Sequence, residues 1–251
     1  MHLYDERFFD WVDSGARRSA RGLLPSVRKA VSLKSVLDVG CGRGTWLGVW
    51  REFGIDDVVG IDGAYVNRAR LAVPPDRFVA TDITQHWDLG RRFDLVQSME
   101  VAEHIPPDCS EAFIARLCAS GDVVLFSAAQ PGQGGEMHIN EQTPEFWARL
   151  FEKHGYARFD CLRAQVAKDR SIEPWYRFNA FLFANGDGQE RLSDAARATQ
   201  LPAAVKAKEY GGLAWRARKL LLRSLSVETV TKLSRINYRV MTTFRAIQNA
   251  G

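Results

Sequence analysis

The segment SMEVAEHIP places Glu100, Glu103 and His104 within five positions, directly after the apolar run FDLV. If residues 100–104 begin a helical turn, these three side chains share one face. Two carboxylates and an imidazole on one face can hold a divalent cation such as Mg, Mn, Fe or Zn. A neutral imidazole can instead take the proton from an attacking hydroxyl, a contribution of typically ~10²–10⁴-fold. The plainer alternative is a polar, partly solvated corner leading into the helix that follows Pro106 and Pro107. A second histidine, His138, lies in the glycine-rich stretch AQPGQGGEMHINEQ, whose composition suits a substrate-facing loop. The candidate catalytic groups are therefore Glu103, His104 and His138. The candidate metal ligands in this segment are Glu100, Glu103 and His104.

The surrounding elements must bring these groups together. Short apolar runs predict strands at 35–40 (SVLDVG), 57–62 (DVVGID), 77–82 (RFVATD), 93–99 (FDLVQSM) and 122–128 (DVVLFSA). Helical spacing occupies 4–32, with Pro25 breaking or restarting it, then 44–54, 110–120 and 143–155. In the last of these, Thr143 stands at the cap, Pro144 in the first turn and Gly155 at the stop. Asp108 or Ser110 is available to cap the helix at 110–120. Residues 156–164 and 175–184 read as two final strands, close enough in sequence to form an antiparallel pair at one edge. The expected fold is α/β: a Rossmann-like, seven-stranded, mostly parallel sheet with an antiparallel edge strand and a C-terminal helical extension. Ligands of such sheets sit beyond the carboxyl ends of the strands, where Asp38, Asp62, Asp82 and Glu100 all fall.

Between the first strand and the next helix runs Gly40-Cys41-Gly42-Arg43-Gly44. Alone it is a weak signal, because neither G-x-G-x-x-G nor a terminal Gly-Lys-Ser/Thr is present. In context, VLDVGCGRGTW resembles the first motif of class I S-adenosylmethionine-dependent methyltransferases, and the later segments fall where that family has them. The resemblance implies S-adenosylmethionine as cofactor. It puts Asp62 on the ribose hydroxyls and Asp82 with Ile83 at the adenine. It also puts Asp38 near the methionine end, with Gly40, Cys41, Gly42, Gly44 and Met99 lining the cofactor. The E-x-x-E-H spacing is similar to that of metal-dependent 2′-O-methyltransferases acting on small RNAs, and to ubiquinone-pathway O-methyltransferases. In the small-RNA enzymes a later loop adds a second histidine, the position His138 would take. GGEMHINEQTPEFW and EPWYRFN together resemble a bacterial group of glycan O-methyltransferases. Trp175 and Tyr176 in the second segment suit either stacking on a sugar face or an edge-strand core.

Composition is that of an ordinary globular chain of 251 residues, 46% hydrophobic and 25% charged. Four scattered cysteines without a CxxC pair argue against a disulfide framework or zinc ribbon and for a reducing cytoplasm. No leader pattern and no bilayer-length apolar run is expected. Charge is uneven: residues 189–251 hold 12 Lys+Arg against 4 Asp+Glu, so the rest of the chain, with 22 and 26, is net acidic. The expected organisation is an N-terminal helical segment (1–34), a cofactor-binding domain (35–188) and a basic amphipathic helical extension (189–251). That extension could pack on the domain or on a second copy in a homodimer. It could also lie on the inner face of the membrane, or contact nucleic acid phosphates. The expected reaction is O-methylation of a sugar, glycan or small-molecule hydroxyl, with Mg, Mn or another divalent cation as a candidate helper. RNA ribose 2′-O-methylation and a non-catalytic cofactor-binding scaffold are the alternatives.

Overall fold

The computed structural model describes residues 6–236. Its centre is a seven-stranded sheet in the order β3-β2-β1-β4-β5-β7-β6. The strands are β1 (Ser35–Val39), β2 (Asp57–Asp62), β3 (Phe78–Ala80), β4 (Leu95–Met99), β5 (Val123–Ser127), β6 (Ala157–Phe159) and β7 (Phe181–Ala184). β1 to β5 pair in parallel, and β7 runs antiparallel to both β5 and β6. The expected sheet class is thus present. Both faces of the central sheet are covered, so every residue of β4 and β5 is buried, the polar Gln97 and Ser98 included.

One face carries α1 (Glu6–Ala30) and α2 (Thr45–Glu52), and the other carries α3 (Ser110–Ser120) and α4 (Pro144–Lys153). α1 runs through Pro25 unbroken, because Leu23, Leu24 and Val27 are all fully buried and hold the helix on the sheet. Thr143 caps α4 as expected, accepting from the Phe146 amide at 3.2 Å. Neither expected cap serves α3. Asp108 lies in the short 3₁₀ turn before it, and the buried Ser110 hydroxyl accepts instead from Asn140 at 2.9 Å.

The two final strands are shorter than their sequence suggests. Residues 175–179 form helix α6 (Pro174–Asn179), not the first half of a strand. Pro174 sits at the first helical position, where its fixed φ favours a helix, and this outweighs the aromatic content. Tyr176 and Phe178 are buried from that helix. After β6 the chain turns into α5 (Arg163–Val166), whose Arg163 guanidinium is fully buried. It is held by Asp160 at 2.6 and 2.8 Å and by the carbonyls of Phe178 and Lys208.

The polar, Ala-rich text of residues 189–209 reads as a linker or loose helix, yet the segment is bonded to the domain. After α7 (Gly186–Glu190), the Ser193 amide bonds to Ala30 O at 2.8 Å, and α8 (Asp194–Arg197) follows. The chain then passes along the sheet edge, where the Arg158 guanidinium donates to the carbonyls of Pro202 and Val205. α9 (Leu213–Leu222) ends before a turn near Ser224–Ser226, and the chain is helical again over 227–236. The expected helical extension is therefore present as two helical pieces as far as residue 236. Residues 237–247 lie outside the described residues.

Candidate active site

The glycine loop joins β1 to α2 at the carboxyl edge of the sheet. Gly40, Gly42 and Gly44 all have positive φ, at 80°, 55° and 75°. The amides of Gly40 and Cys41 bond to Ile61 O at 2.9 and 3.2 Å, which ties the loop to β2. Asp62, at the end of β2, is buried and fixes the loop from below. Its Oδ2 accepts from the Gly42 amide at 2.6 Å, and its Oδ1 accepts from the Gly63 amide at 2.7 Å and from the Tyr65 hydroxyl. α1 also reaches the loop. Asp13 holds the buried Arg43 at 3.2 Å and the Thr45 hydroxyl at 2.6 Å. Sequence reasoning passed over Asp13 because it lies 30 residues away, in a different element.

Asp38, on β1, is buried, and burial raises its pKa to about 7; a contact with Gln97 opposes the rise and the Asp62 charge adds to it. Cys41 and Met99 are buried beside it. Asp82 lies past β3 and is exposed. Its Oδ1 accepts from the Thr84 amide and hydroxyl at 2.9 and 2.7 Å, which lowers its pKa. Ile83 packs against the core on the α3 side. Asp38, Asp62 and the glycine loop thus share one end of neighbouring strands β1 and β2, while Asp82 lies just beyond β3.

At the end of β4 the chain does not begin a regular helix. Glu100 has φ 57°, and a short 3₁₀ turn covers Ala102–His104. This separates the expected four-residue set. Glu103, His104 and His138 converge, with one ligand-capable atom from each lying within 4.8 Å of the others. Glu100 is not in that group. Its carboxylate accepts from Gln133 Nε2 at 2.6 Å and from Asn179 Nδ2 at 3.3 Å. A polar chain continues outward from it: Asn179 donates to Gln133, Gln130 donates to Asn179, and Lys219 of α9 donates to Gln130 at 2.8 Å. Gln133, Asn179 and Lys219 had no sequence signal of their own.

Loop 129–142 is firmly held. The amides of Ile139 and Asn140 both bond to Glu103 O at 3.0 Å, and Gly135 makes room for the His138 ring. The tautomers follow from the partners. His104 Nδ1 faces Met137 O at 3.3 Å, and a carbonyl only accepts, so Nδ1 carries the proton. His138 Nδ1 lies 3.1 Å from Glu141 Oε1, which likewise places its proton on Nδ1. In its neutral form each ring keeps a lone pair on Nε2, and His138 Nε2 stands 4.0 Å from Glu103 Oε1. His104 keeps an exposed edge, yet desolvation around the ring and the neighbouring His138 lower its pKa, so it is neutral at pH 7. Glu103 is almost completely buried and its Oε2 has no hydrogen-bond partner. Burial, then the Glu100 charge, push its pKa well above the usual carboxylate range.

Glu141 was not singled out by spacing. It accepts from the Gly132 and Gly134 amides at 2.7 and 2.8 Å as well as from His138, so one carboxylate sets the loop and the ring together. Outer partners of this kind typically contribute about 10–100-fold to activity or metal affinity. Glu141→Ala is expected to lower kcat within that range while cofactor affinity, read by calorimetry, stays at the wild-type value. Beside His138 a cavity of about 170 Å³ lies between loop 129–142 and the extension, with Gly134, Glu141, Leu222, Arg223 and Val230 among its walls.

This sheet order, with a glycine loop and acids at the strand ends, is of the class that binds nucleotide cofactors. The chain belongs to the methyltransferase-domain family, whose model matches residues 11–161. It is a class I S-adenosylmethionine-dependent methyltransferase. Among solved structures it is similar to the methyltransferase domain of bacterial CtHen1-C, with 21% identity over 69% of this chain and 99% of that one, and a TM-score of 0.51. It is also similar to a SAM-dependent methyltransferase from Archaeoglobus fulgidus, with 22% identity over 61% and 75% and a TM-score of 0.47. A third is CalS10, an amino pentose methyltransferase from Micromonospora echinaspora, with 18% identity over 74% and 99% and a TM-score of 0.48. At such identities the likeness speaks to fold alone. No curated protein matches. No helix among the described residues is long and apolar enough to cross a membrane.

Proposed function

We propose that the protein methylates a hydroxyl of a sugar unit in a glycan or small molecule, with a divalent cation held by Glu103, His104 and His138. The observation that carries this is Glu103 Oε2, a buried and unpartnered oxygen inside a cluster whose two imidazoles both offer Nε2 lone pairs. Buried polar atoms are rarely left unpaired without a reason. One carboxylate and two imidazoles suit Mn, Fe or Zn well, and Mg less. When bound, the cation would supply Lewis acidity that lowers the pKa of a coordinated hydroxyl. S-adenosylmethionine supplies the electrophilic methyl group.

The chain's own residues do the rest. Asp62 orders the glycine loop and is the acceptor offered to a ribose diol. Glu100, clamped by Gln133 and Asn179, shapes the floor where β4 ends. With the cation holding both Nε2 lone pairs, the acidified acceptor proton leaves to solvent; in the cation-free cluster, Nε2 of His138 or His104 is the atom that can take it up. The adjacent cavity is suited to one sugar-sized ring, and its glycine-lined wall lets a polar ring approach the backbone.

Incubation with methyl-labelled S-adenosylmethionine and separate glycan, lipid and RNA fractions tests the reading. Label in the glycan fraction, stimulated by Mn and abolished by a chelator, supports it. Label on RNA ribose would replace it with the nucleic acid reading, and cofactor binding without any transfer would leave a scaffold. A pH dependence follows from Asp38. If its carboxylate pairs with the cofactor's ammonium group, the ionised form binds, and the free protein's pKa of about 7 sets the window. Affinity is expected to fall by up to about tenfold per pH unit below 7 and to level off above it. Isothermal titration across pH 5.5–8.5 reads this directly, and Asp38→Asn should abolish the slope.

A further inference from the structure

α9 has two faces, and only one is used by the domain. At 100° per residue, Trp215, Lys219 and Leu222 point inward. Trp215 packs on Phe178 with ring centroids 5.7 Å apart. Lys219 donates to Gln130 and to Glu209 at 2.8 and 2.9 Å, and Leu222 closes on Gly134. The opposite face carries Leu213, Leu220 and Leu221, which are 84%, 74% and 70% exposed. Arg216 flanks this stripe on one side, with Arg223 past it at the rim of the cavity, and Arg218 flanks it on the other, next to the Trp215 ring. After the turn, Leu225 and Val227 line the cavity beside His138, while Leu233 and Ile236 remain exposed, with Lys232 paired to Glu228.

We propose that this outer face docks the protein on an anionic lipid surface, with the leucines entering the headgroup boundary and the arginines meeting lipid phosphates. The charge pattern selects this occupant. A central apolar stripe with cations on both flanks is the arrangement an amphipathic helix uses in a membrane interface. Docking two copies face to face would instead bring Arg216, Arg218 and Arg223 against their own equivalents, which costs rather than gains. The stripe itself contains no acid, and the acids nearest along the chain are already engaged: Glu209 by Lys219 and Glu228 by Lys232. The net charge of residues 189–251, 12 cations against 4 anions, acts in the same direction. Each cation near an anionic surface multiplies partitioning about fivefold.

The test uses the full chain with vesicles of phosphatidylcholine alone or mixed with phosphatidylglycerol, read by co-sedimentation. Binding is expected to the mixed vesicles only and to weaken as salt is raised. Leu220→Ser with Leu221→Ser, and separately Arg216→Glu, should each lower partitioning at least tenfold. Both variants change exposed side chains, and unchanged circular dichroism melting verifies that they fold. Wild-type binding by either variant, or no binding to the mixed vesicles, overturns the proposal. A dimer in sedimentation velocity that dissociates in the leucine variant would assign the face to a second copy instead. Neither outcome depends on methyl transfer, so the docking surface and the proposed reaction stand or fall separately.

Discussion

Glu103→Gln is expected to lower kcat by about 10²–10⁴-fold with cofactor affinity unchanged, and His138→Ala to do the same. The glutamine variant is the sharper of the two. In the cation-free protein, burial and the Glu100 charge push the Glu103 carboxyl well above the usual carboxylate range, which favours its neutral form. Replacing one neutral group with another of the same shape should then change little. Only if a cation draws Glu103 into its ionised form does the amide remove something the reaction needs. His138→Ala removes an Nε2 lone pair under either account and serves as the reference. Steady-state kinetics with added Mn, together with calorimetric Mn titration, reads both. A Glu103→Gln enzyme with wild-type kcat would falsify the cation reading and leave His104 and His138 as simple bases. Loss of Mn binding in Glu103→Gln with kcat reduced in parallel would bind the two observations together.

How much of this site was legible in advance follows from what local sequence can encode. The glycine loop, Asp38 and Asp62 lie at strand ends, and strand ends are visible as the points where apolar runs stop. His138 was found because it falls in the loop after the fifth strand, where the resembled small-RNA enzymes carry a second histidine. The direction of Glu100 was not visible. Helical spacing would put it beside Glu103, but its φ of 57° turns the backbone left-handed and sends the carboxylate to Gln133 and Asn179 instead. That choice depends on partners 33 and 79 residues away. The same holds for Glu141, whose role comes from three donors gathered by a loop fold. The helical character of 174–179 was legible in principle: Pro174 after Glu173 is a helix-start signal, but the alternation of aromatic residues outweighed it in the reading. The edge role of residues 189–210 was hidden because polar, Ala-rich text looks like a linker. What anchors it is the buried guanidinium of Arg158 on the edge strand, which pairs with Glu145 and also donates to two carbonyls of that segment.

Two glycine substitutions separate stability from cofactor binding in the same loop. Gly40 has φ 80°, and a Cβ there would meet Val101 Cγ2 and Cγ1 at 2.5 and 2.7 Å. Val101 is buried next to the site and cannot retreat without moving the turn that carries Glu103 and His104. Left-handed strain of about 1–2 kcal/mol and overpacking of about 1–3 kcal/mol add to about 2–5 kcal/mol. Gly40→Ala is therefore expected to melt about 4–20 °C below the parent. Gly42 has φ 55°, and a Cβ there meets nothing within 4 Å. Gly42→Ala carries only the backbone strain, so its melting temperature should fall by just a few degrees. Its methyl group would project into open space beside the loop whose amide Asp62 holds. If that open space is where the cofactor lies against the backbone, affinity should drop tenfold or more in a protein that is otherwise folded. Thermal melts and cofactor titration of both variants distinguish the two effects. Wild-type cofactor affinity in Gly42→Ala would mean that the loop is only a tight turn, and that the cofactor's approach is set by Asp38 and Asp62 alone.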